Sequence, residues 1–472
     1  MPFPRNPRPE ILGSLSDAIP VPFWLDDPHH PEAEPALTTA ISTGLAIIGA
    51  GFTGLWTALL AKEADPTHEV VLLEAEETAI GATGRNGGFV DASLTHGFEN
   101  GRSYWPEELV TLTAMGLSNL DAIQATVKRL NIDCDFIRSG ELLVATEPYQ
   151  VEELRRKPEE AEPFGEQLVW LDQDETRAMV NSPLYLGGLY NPHGVAMANP
   201  AQLAWGLRRA CLSLGVKLYE HTPGLALEED NGVIRVRTPY GQVKAKRVAL
   251  ATNAFPPLIK SVSRYIVPVY DYVLVTEPMS EDQRASIGWQ GREGLSDTNN
   301  QFHYYRTTAD SRILWGGYDA VYHYNNAVGK HLETNYEVFG RLAEHFFLNF
   351  PQLEGLRFTH AFGGAIDTCS RFSPFWGTAY SGRVAYVTGF TGLGVGSSRF
   401  GALVMLDLLD GKSTERTALK MVRTKPIPFP PEPLRSVVID LTRRSLEQAD
   451  YNQGRRNLWL KLLDAAGLGF DS

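Results

Sequence analysis

The feature that most constrains the fold is segment 45–54, LAIIGAGFTG, in which a short apolar run leads directly into three glycines. Gly49 permits a tight turn, Gly51 lets the backbone approach a pyrophosphate, and Gly54 allows a helix to pack against the strand. A helical pattern and a second apolar run follow, and that run ends at Glu74. This order predicts a dinucleotide-binding unit in which Glu74, about 20 residues after Gly54, accepts hydrogen bonds from ribose hydroxyls.

A second run of small residues, GATGRNGG at 81–88, follows the second apolar run. Backbone N–H groups and small hydroxyls line an extended polar cofactor closely, whereas bulky side chains do not. A nicotinamide dinucleotide has no ribityl chain that would need such a loop, so the loop favours a flavin dinucleotide. The predicted cofactor contacts in this half of the chain are Gly49, Gly51, Phe52, Thr53, Gly54, Glu74, Ala75, Gly81, Ala82, Thr83, Arg85, Asn86, Gly87 and Gly88.

With these two loops, and with a third glycine loop GFTGLGVG at 389–396, the sequence resembles the D-amino-acid oxidase-like superfamily of flavoproteins. That superfamily includes glycine oxidase, sarcosine oxidase and gamma-glutamylputrescine oxidoreductase. The resemblance implies FAD as cofactor, and noncovalent attachment is expected because loop 81–88 has no His or Cys. It also implies cofactor contacts at Gly224, Thr252, Asn253, Gly392, Leu393, Gly394 and Val395, with Leu393 in place of the family's usual His.

The resemblance implies an α/β (α+β) fold in which a Rossmann-like FAD-binding domain is interleaved with an antiparallel-sheet substrate domain. The length of 472 residues exceeds one typical core, which also favours two domains. The predicted division is an N-terminal extension at 1–43, the FAD-binding domain at 44–100, 195–260 and 358–412, the substrate domain at 101–194 and 261–357, and a C-terminal helical tail at 413–472.

Both ends of the chain lie outside the glycine motifs. Residues 1–43 are rich in Pro, Asp and His and contain a Phe-Trp pair ending at Trp24. The extension is either anchored across the body or a mobile tail, and the cost of exposing this pair favours anchoring. The tail has a Pro-rich connector followed by helical patterns at 434–446 and 458–466. It caps the molecule, forms a homo-oligomer contact or touches an anionic membrane surface, and the acidic net charge favours the first two.

Residues 264–322 are expected to form antiparallel strands that make a wall over the flavin. The segment 302–306, FHYYR, alternates with the period of a half-buried strand. Tyrosines in such a wall bind an amine through ring faces and hydroxyls. Arg306 either clamps a carboxylate or makes a structural ion pair, and His96 is either a pocket residue near the flavin or hydrogen-bonded within its loop. The predicted catalytic residues are Tyr272, Tyr304, Arg306 and His96, with Tyr270 and Tyr305 as further pocket candidates.

Composition excludes several classes of protein. The net charge of −13 argues against nucleic acid as a partner, because a phosphate-binding surface needs concentrated Lys and Arg. No apolar run approaches the length of a membrane span, and the N-terminus has no apolar core of a secretory signal. The three cysteines, Cys134, Cys211 and Cys369, have no paired spacing. They predict neither a metal site nor a disulfide framework and are consistent with a cytoplasmic location.

The activity that the resemblance implies is FAD-dependent oxidation of the C–N bond of a small amine or amino acid. Hydride passes to flavin N5, and the imine hydrolyses to a carbonyl product. Sarcosine oxidase-like members use a lysine for reaction with oxygen where this chain has Leu314 or Trp315. The electron acceptor, oxygen or another, is therefore open, and a dehydrogenase is predicted. The alternatives are an FAD-dependent hydroxy-acid or alcohol oxidoreductase and a non-catalytic FAD-binding protein.

Overall fold

A computed structural model describes residues 3–465 and 468 of the chain. The strands are β1 Ala40–Ile48, β2 Val70–Leu73, β3 Phe89–Asp91, β4 Glu141–Ala145, β5 Val169–Leu171, β6 Gly187–Asn191, β7 Val195–Met197, β8 Lys217–Tyr219, β9 Ala226–Asp230, β10 Val233–Arg237, β11 Gln242–Leu250, β12 Val267–Thr276, β13 Gly294–Asp297, β14 His303–Thr307, β15 Ile313–Gly317, β16 Val321–Tyr322, β17 Phe358–Thr368, β18 Phe375–Ala379 and β19 Val384–Thr388.

The helices are α1 Pro9–Leu12, α2 Phe52–Ala64, α3 Phe98–Tyr104, α4 Leu109–Arg129, α5 Pro148–Ala161, α6 Gln173–Met179, α7 Pro200–Ser213, α8 Glu281–Ile287, α9 Tyr336–Asn349, α10 Gly394–Leu409, α11 Glu415–Ala418, α12 Lys420–Arg423, α13 Leu434–Tyr451 and α14 Leu458–Ala465. Over the described residues, none of these helices is long and apolar enough to cross a membrane.

The first sheet is built on the apolar run before Gly49. Its strands follow the order β18-β19-β11-β1-β2-β8, and β1 pairs in parallel with both β2 and β11. Leu45 and Ile47 face a core shared with α2, α4, α7 and α10, whereas Ala46 and Ile48 face a core on the other side. Because both faces are covered there, β1 is continuously apolar from Leu45 to Ile48 rather than alternating.

The second sheet has the order β16-β12-β15-β14-β13-β4-β6-β5, with β17 alongside β12. Its pairings are antiparallel except between β13 and β4, which run parallel. One face packs on α9, where Trp315 and Phe346 meet in an aromatic core. The other face is turned towards the first sheet. The predicted α/β class, with a Rossmann-like half and an antiparallel sheet, is confirmed.

Two segments belong to a different half of the molecule from the one in which the predicted domain division placed them. The strand β17, placed in the FAD-binding domain as part of 358–412, pairs with β12 and thus belongs to the second sheet. Helix α4, placed in the substrate domain as part of 101–194, buries Leu120 and Ile123 in the core of the first sheet. Strand partners and packing partners are distant in sequence, so a local pattern does not reveal them.

The N-terminal extension is anchored to the body, as its Phe-Trp pair predicted. Trp24 is buried, and its indole N–H donates to the carbonyl of Asn86 at 2.8 Å, within the second glycine loop. Further along, the Arg8 guanidinium pairs with the buried Glu344 carboxylate at 2.8 Å. The extension therefore supports the loop from outside.

The C-terminal tail caps the second sheet. On α13, the Asp450 carboxylate accepts hydrogen bonds from the backbone N–H groups of Asn300 (2.9 Å) and Gln301 (3.1 Å). The indole N–H of Trp459 on α14 donates to Thr442 Oγ1 at 3.0 Å and joins the two helices. The predicted helix 458–466 is observed to Ala465, and residue 466 lies outside the described residues. A homo-oligomer contact through this tail stays a prediction.

Candidate active site

A cavity of about 1160 Å³ lies between the two sheets, at the carboxyl ends of β1, β2, β11 and β19. Ligands of open α/β sheets bind at this edge. Of the predicted cofactor contacts, those that line it are Gly49, Gly51, Phe52, Thr53, Glu74, Ala75, Gly81, Ala82, Thr83, Arg85, Asn86, Gly87, Gly224, Thr252, Asn253, Gly392, Leu393, Gly394 and Val395. Segments distant in sequence are thus brought to one elongated space.

The first glycine turn depends on close backbone packing. Gly49 has a φ of +103°, and a Cβ there would lie 2.5 Å from the Ala251 carbonyl oxygen. A Cβ on Gly54 would lie 1.8 Å from the Gly49 carbonyl oxygen. Gly54 therefore does not line the cavity, but it allows α2 to begin directly against the turn, which is the packing role that the motif predicted.

The start of α2 and the end of β2 meet at the cavity. The Phe52 N–H donates to Thr83 Oγ1 at 3.1 Å, which joins the first glycine turn to the second loop. The Ala50 N–H donates to Glu74 Oε2 at 2.6 Å. Burial raises the pKa of Glu74 above its ordinary value. The acid thus stands beside the turn, in a position to accept from ribose hydroxyls, and the helix N-terminus favours a phosphate.

In the second loop, side chains hold the backbone in place. The Asn86 amide nitrogen donates to the carbonyls of Ala82 (3.0 Å) and Thr83 (2.7 Å), and its oxygen accepts from the Gly88 N–H (2.8 Å). The Arg85 guanidinium donates to the Ile80 carbonyl at 2.7 Å. These two side chains build the loop, which leaves its small residues and backbone at the cavity.

Gly88 does not line the cavity. It has a φ of +76°, and a Cβ there would lie 2.2 Å from the Ala198 carbonyl oxygen and 2.7 Å from Arg306 Nη1. The predicted cofactor contact at Gly88 is therefore corrected. The glycine is needed because the second sheet and β7 approach the loop closely at this point.

The third glycine loop leads into α10 at Gly394. Gly392 has a φ of +94°, and no atom lies within 4 Å of the place where its Cβ would be. Leu393, at the N-cap, has no side-chain acceptor for the first N–H groups of α10. These amides therefore stay available to a ligand, and together with the helix dipole they favour negative charge.

The wall opposite the glycine loops is one face of the second sheet, and Tyr304 lies on it. The Tyr304 hydroxyl donates to Asp271 Oδ2 at 2.5 Å. To reach it, the ring crosses β15 above Gly316, where a Cβ would lie 2.7 Å from the Tyr304 hydroxyl oxygen. Sequence reasoning missed Asp271. The signal was its place in β12, two residues from Val269 and Val273, on the face that period-two alternation turns towards the cofactor loops.

Tyr272 and Tyr305 lie on the other face of the sheet and do not line the cavity. The Tyr272 hydroxyl donates to the Leu332 carbonyl at 2.8 Å, and that of Tyr305 is hydrogen-bonded to Tyr185 at 2.7 Å. Their predicted roles at the pocket are wrong, because neighbouring residues of a strand point to opposite faces. Tyr270 lies on the same face as Tyr272 and packs in the same core, but it also borders the cavity.

Arg306 is completely buried and also lies outside the cavity. Its Nη1 donates to the Ala198 carbonyl at 2.8 Å, and its Nη2 lies 3.7 Å from the Asp135 carboxylate. Burial lowers the pKa of Arg306 to about 9. The structural alternative therefore holds, and the predicted carboxylate clamp is wrong.

His96 lines the cavity, and its position near the flavin stays a prediction. The residue has a φ of +63°, and its ring packs edge-on against Phe372 with 6.0 Å between ring centroids. Burial lowers the pKa of His96, so its imidazole is neutral at pH 7.

Three carboxyl groups at one end of the cavity were missed from the sequence: Asp91, Glu141 and Glu166. Burial raises the pKa of Asp91 to about 6 and those of Glu141 and Glu166 to about 7. Glu141 accepts a hydrogen bond from Ser296 Oγ at 2.8 Å. The three come from separate segments, so no local spacing relates them.

Along the described part of the cavity wall, carboxylates outnumber the cationic side chains. Arg85 is paired with Glu333 at 2.7 Å, and Lys157 is paired with Glu99. The C-terminal tail supplies the third cation, Arg443, from α13. The cavity thus has an acidic end, and the tail forms part of its outer wall.

The fold and this site define a flavin dinucleotide-binding oxidoreductase. The structure fits FAD, because two helix N-termini, an acid at the end of β2 and a backbone-lined loop follow one continuous cavity.

Residues 45–408 match the DAO family, described as FAD dependent oxidoreductase, and the chain belongs to this family. Gamma-glutamylputrescine oxidoreductase of Escherichia coli is 30% identical over 397 residues, which cover 83% of this chain and 89% of that protein. A probable oxidoreductase, OrdL, of Haemophilus influenzae is 26% identical over 82% of this chain and 88% of its own length. The protein is therefore an enzyme, and FAD is its cofactor.

Solved structures support the fold. Glycine oxidase from Geobacillus kaustophilus superposes with a TM-score of 0.67 at 20% sequence identity, and the match covers 82% of this chain and 99% of that one. L-proline dehydrogenase from P. horikoshii gives a TM-score of 0.65 at 19% identity, over 81% of this chain and 96% of that one.

Proposed function

We propose that this protein oxidises the C–N bond of a small amine or amino acid to an imine, which hydrolyses to a carbonyl product. The acidic end of the cavity, formed by Asp91, Glu141 and Glu166, is the observation that carries the proposal. Above pH 7, where all three groups are ionised, such a chamber attracts a cationic amine and repels a hydroxy-acid anion. The name of the gamma-glutamylputrescine relative supports an amine substrate as well.

FAD, when bound, supplies the hydride-accepting chemistry. The chain's own contribution is to bind and orient the substrate between the glycine loops and the face that carries Tyr304. The N-terminus of α10 stabilises negative charge at the cavity, and the neutral His96 adds no competing positive charge. Enclosure between two sheets and the C-terminal tail limits water around the reacting carbon.

The electron acceptor in this proposal is a molecule other than oxygen. Leu314 and Trp315, at the position of the lysine in sarcosine oxidase-like members, are completely buried apolar residues. Neither supplies an ammonium group that would promote the reaction with oxygen. Stoichiometric release of peroxide during amine turnover would contradict the proposal of a dehydrogenase, and turnover that requires an added dye or quinone would support it.

Noncovalent FAD is likewise proposed. Cys369 is completely buried, its thiol donates to the Ser373 carbonyl at 3.2 Å, and burial raises its pKa, so it is a poor nucleophile. Acid precipitation should release all of the yellow colour, and a yellow pellet would contradict this. All three cysteines are free, buried thiols. They support a reducing compartment, in line with the predicted cytoplasmic location.

Anaerobic bleaching of the flavin tests the reaction class. The holoenzyme is mixed without oxygen with a panel of primary amines, secondary amines, amino acids and hydroxy acids, and the loss of absorbance near 450 nm is recorded. We expect bleaching with at least one amine and none with the hydroxy acids. Bleaching by hydroxy acids alone would support the alternative oxidoreductase, and an inert flavin would support a binding protein.

A further inference from the structure

We infer that Tyr304 and Asp271 form a proton relay for the substrate nitrogen. Tyr304 contacts the amine, and Asp271 acts through Tyr304 as a positioning residue and as the final proton acceptor. The inference rests on the proposed amine oxidation and adds to it how the bound ammonium form becomes the neutral amine, the only form with a nitrogen lone pair to support hydride loss.

The direction of the hydrogen bond determines what Tyr304 offers to the cavity. Its hydroxyl hydrogen points to Asp271 Oδ2, 2.5 Å away. A phenol oxygen still accepts a hydrogen bond when its hydrogen is engaged. Because Tyr304 also lines the cavity, it presents an acceptor to the substrate, and the complementary group is an N–H donor such as an ammonium.

The surrounding backbone is arranged for this pair. Gly316 lets the Tyr304 ring cross β15, and Gly87 of the second glycine loop lies beneath it, where a Cβ would be 2.8 Å from the ring. Tyr304 is thus held between the cofactor loop and Asp271. Ser296, the strand partner of Tyr304, donates to Glu141 at 2.8 Å, so the relay lies on the same cavity wall as the acidic end.

The proton transfer balances without a further reactant. One N–H bond of the ammonium breaks as an O–H bond forms on Tyr304, while the original Tyr304 O–H bond breaks and one forms on Asp271. The amine becomes neutral, Asp271 becomes a carboxylic acid, and Tyr304 ends as it began. No electron moves in this step.

The charge around Asp271 suits an acceptor that is ionised at neutral pH. Burial raises the pKa of Asp271 to about 6, the Tyr304 hydroxyl and the N–H groups of Tyr272 and Gly317 lower it, and Asp319 raises it. Asp319 is itself paired with Arg341. Above pH 6, Asp271 is therefore a carboxylate, and below it the acceptor is already protonated.

The test is the pH dependence of anaerobic flavin reduction by whichever amine bleaches the wild type. In the wild type, the ratio of the flavin-reduction rate constant to the dissociation constant of the amine should be constant above about pH 7. The ratio should fall below pH 6. Asp271→Asn keeps the shape of the side chain but accepts no proton, so only free neutral amine is productive. For Asp271→Asn, the ratio of the reduction rate constant to the dissociation constant should rise about tenfold per pH unit up to the pKa of the amine. At pH 7 this ratio should be at least a hundredfold below that of the wild type.

Tyr304→Phe should show the same pH dependence as Asp271→Asn. The double variant should be no less active in flavin reduction than either single variant, because Tyr304 and Asp271 act in one path. Tyr272→Phe is the matched control, since the Tyr272 hydroxyl, on the strand that carries Asp271, points away from the cavity. It should keep the wild-type plateau.

A calorimetric proton count gives a second readout that needs no turnover. The probe is the analogue of the bleaching amine that is methylated at the carbon bearing nitrogen and has no hydrogen to lose. At pH 8 the wild type should bind it with no net proton release, whereas Asp271→Asn should release about one proton to the buffer. Equal counts, or variants that keep the wild-type plateau and only melt earlier, would overturn the relay. If no amine bleaches the wild type, the proposed function itself fails.

Discussion

The two walls of the cavity recognise their ligands in different ways. The wall on the first sheet is made of glycine turns and helix N-termini, so backbone groups line the cavity there. The wall on the second sheet is made of side chains, of which Tyr304 and Asp271 are the clearest pair. A backbone wall depends on residues that lack a side chain, whereas a side-chain wall depends on which face of a strand each residue occupies.

This difference explains why the two walls respond differently to substitution. In the first wall, and in the turn that supports it, a single added methyl group collides with a carbonyl, as at Gly49 and Gly54. In the strand that carries the second wall, consecutive residues have different roles. Tyr304 lines the cavity, whereas Tyr305 lies in the aromatic core and Arg306 binds backbone carbonyls.

The largest effect is expected from Gly54→Ala, which tests the backbone wall. The new Cβ would lie 1.8 Å from the Gly49 carbonyl oxygen, so α2 has to move away from the turn. We expect loss of bound FAD and of the cooperative thermal transition, measured by the ratio of absorbance at 450 nm to that at 280 nm and by calorimetry. Gly13→Ala is the control, because no atom lies within 4 Å there. A yellow, stable Gly54→Ala protein would show that the turn tolerates this displacement.

Arg306→Met tests whether the second wall uses this residue for stability or for substrate. The change leaves the Ala198 carbonyl without its donor and the half-buried Asp135 without one of its partners. The free energy of unfolding should fall by about 3 kcal/mol, with KM for the amine nearly unchanged. Denaturant unfolding and steady-state kinetics measure the two quantities, and Arg209→Met, at an exposed arginine of α7, is the control. A raised KM at unchanged stability would restore the carboxylate clamp.

The smallest effect is expected from Glu141→Gln, which tests substrate binding and protein stability as two separate quantities. Burial raises the pKa of Glu141 to about 7, so the folded protein binds more protons than the unfolded chain and loses stability as pH rises from 5 to 8. Glutamine removes this loss, and the variant should melt at a higher temperature than wild type at pH 8 but not at pH 5. Its KM for a cationic amine should rise about tenfold at pH 8, which corresponds to about 1.4 kcal/mol.

Scanning calorimetry at the two pH values and KM measurements test Glu141→Gln together. Glu159→Gln, at an exposed residue of α5, is the control and should change neither quantity. If KM stays at the wild-type value while the melting temperature rises, the acidic end of the cavity does not hold the substrate.

Much of the cofactor site could be read from the sequence because each glycine loop is a local motif. The turn at Gly49, the acid at Glu74 and the start of α10 at Gly394 depend on neighbours a few residues away. The substrate wall could be read only in part. The alternation that exposes Tyr304 also assigns Asp271 to the cavity and Tyr272 to the core, but the strand boundaries of β12 were needed to apply it.

The sequence by itself determined the FAD-binding class, the mixed α/β fold and many of the residues that line the cavity, because spacing and residue size encode a backbone turn directly. Only the tertiary structure decided that β17 joins the second sheet, that Arg306 is structural and that Asp91, Glu141 and Glu166 share one end of a cavity. Pairings between distant segments depend on how two sheets meet, and the free energy of that meeting comes from burial over the whole interface rather than from any local pattern.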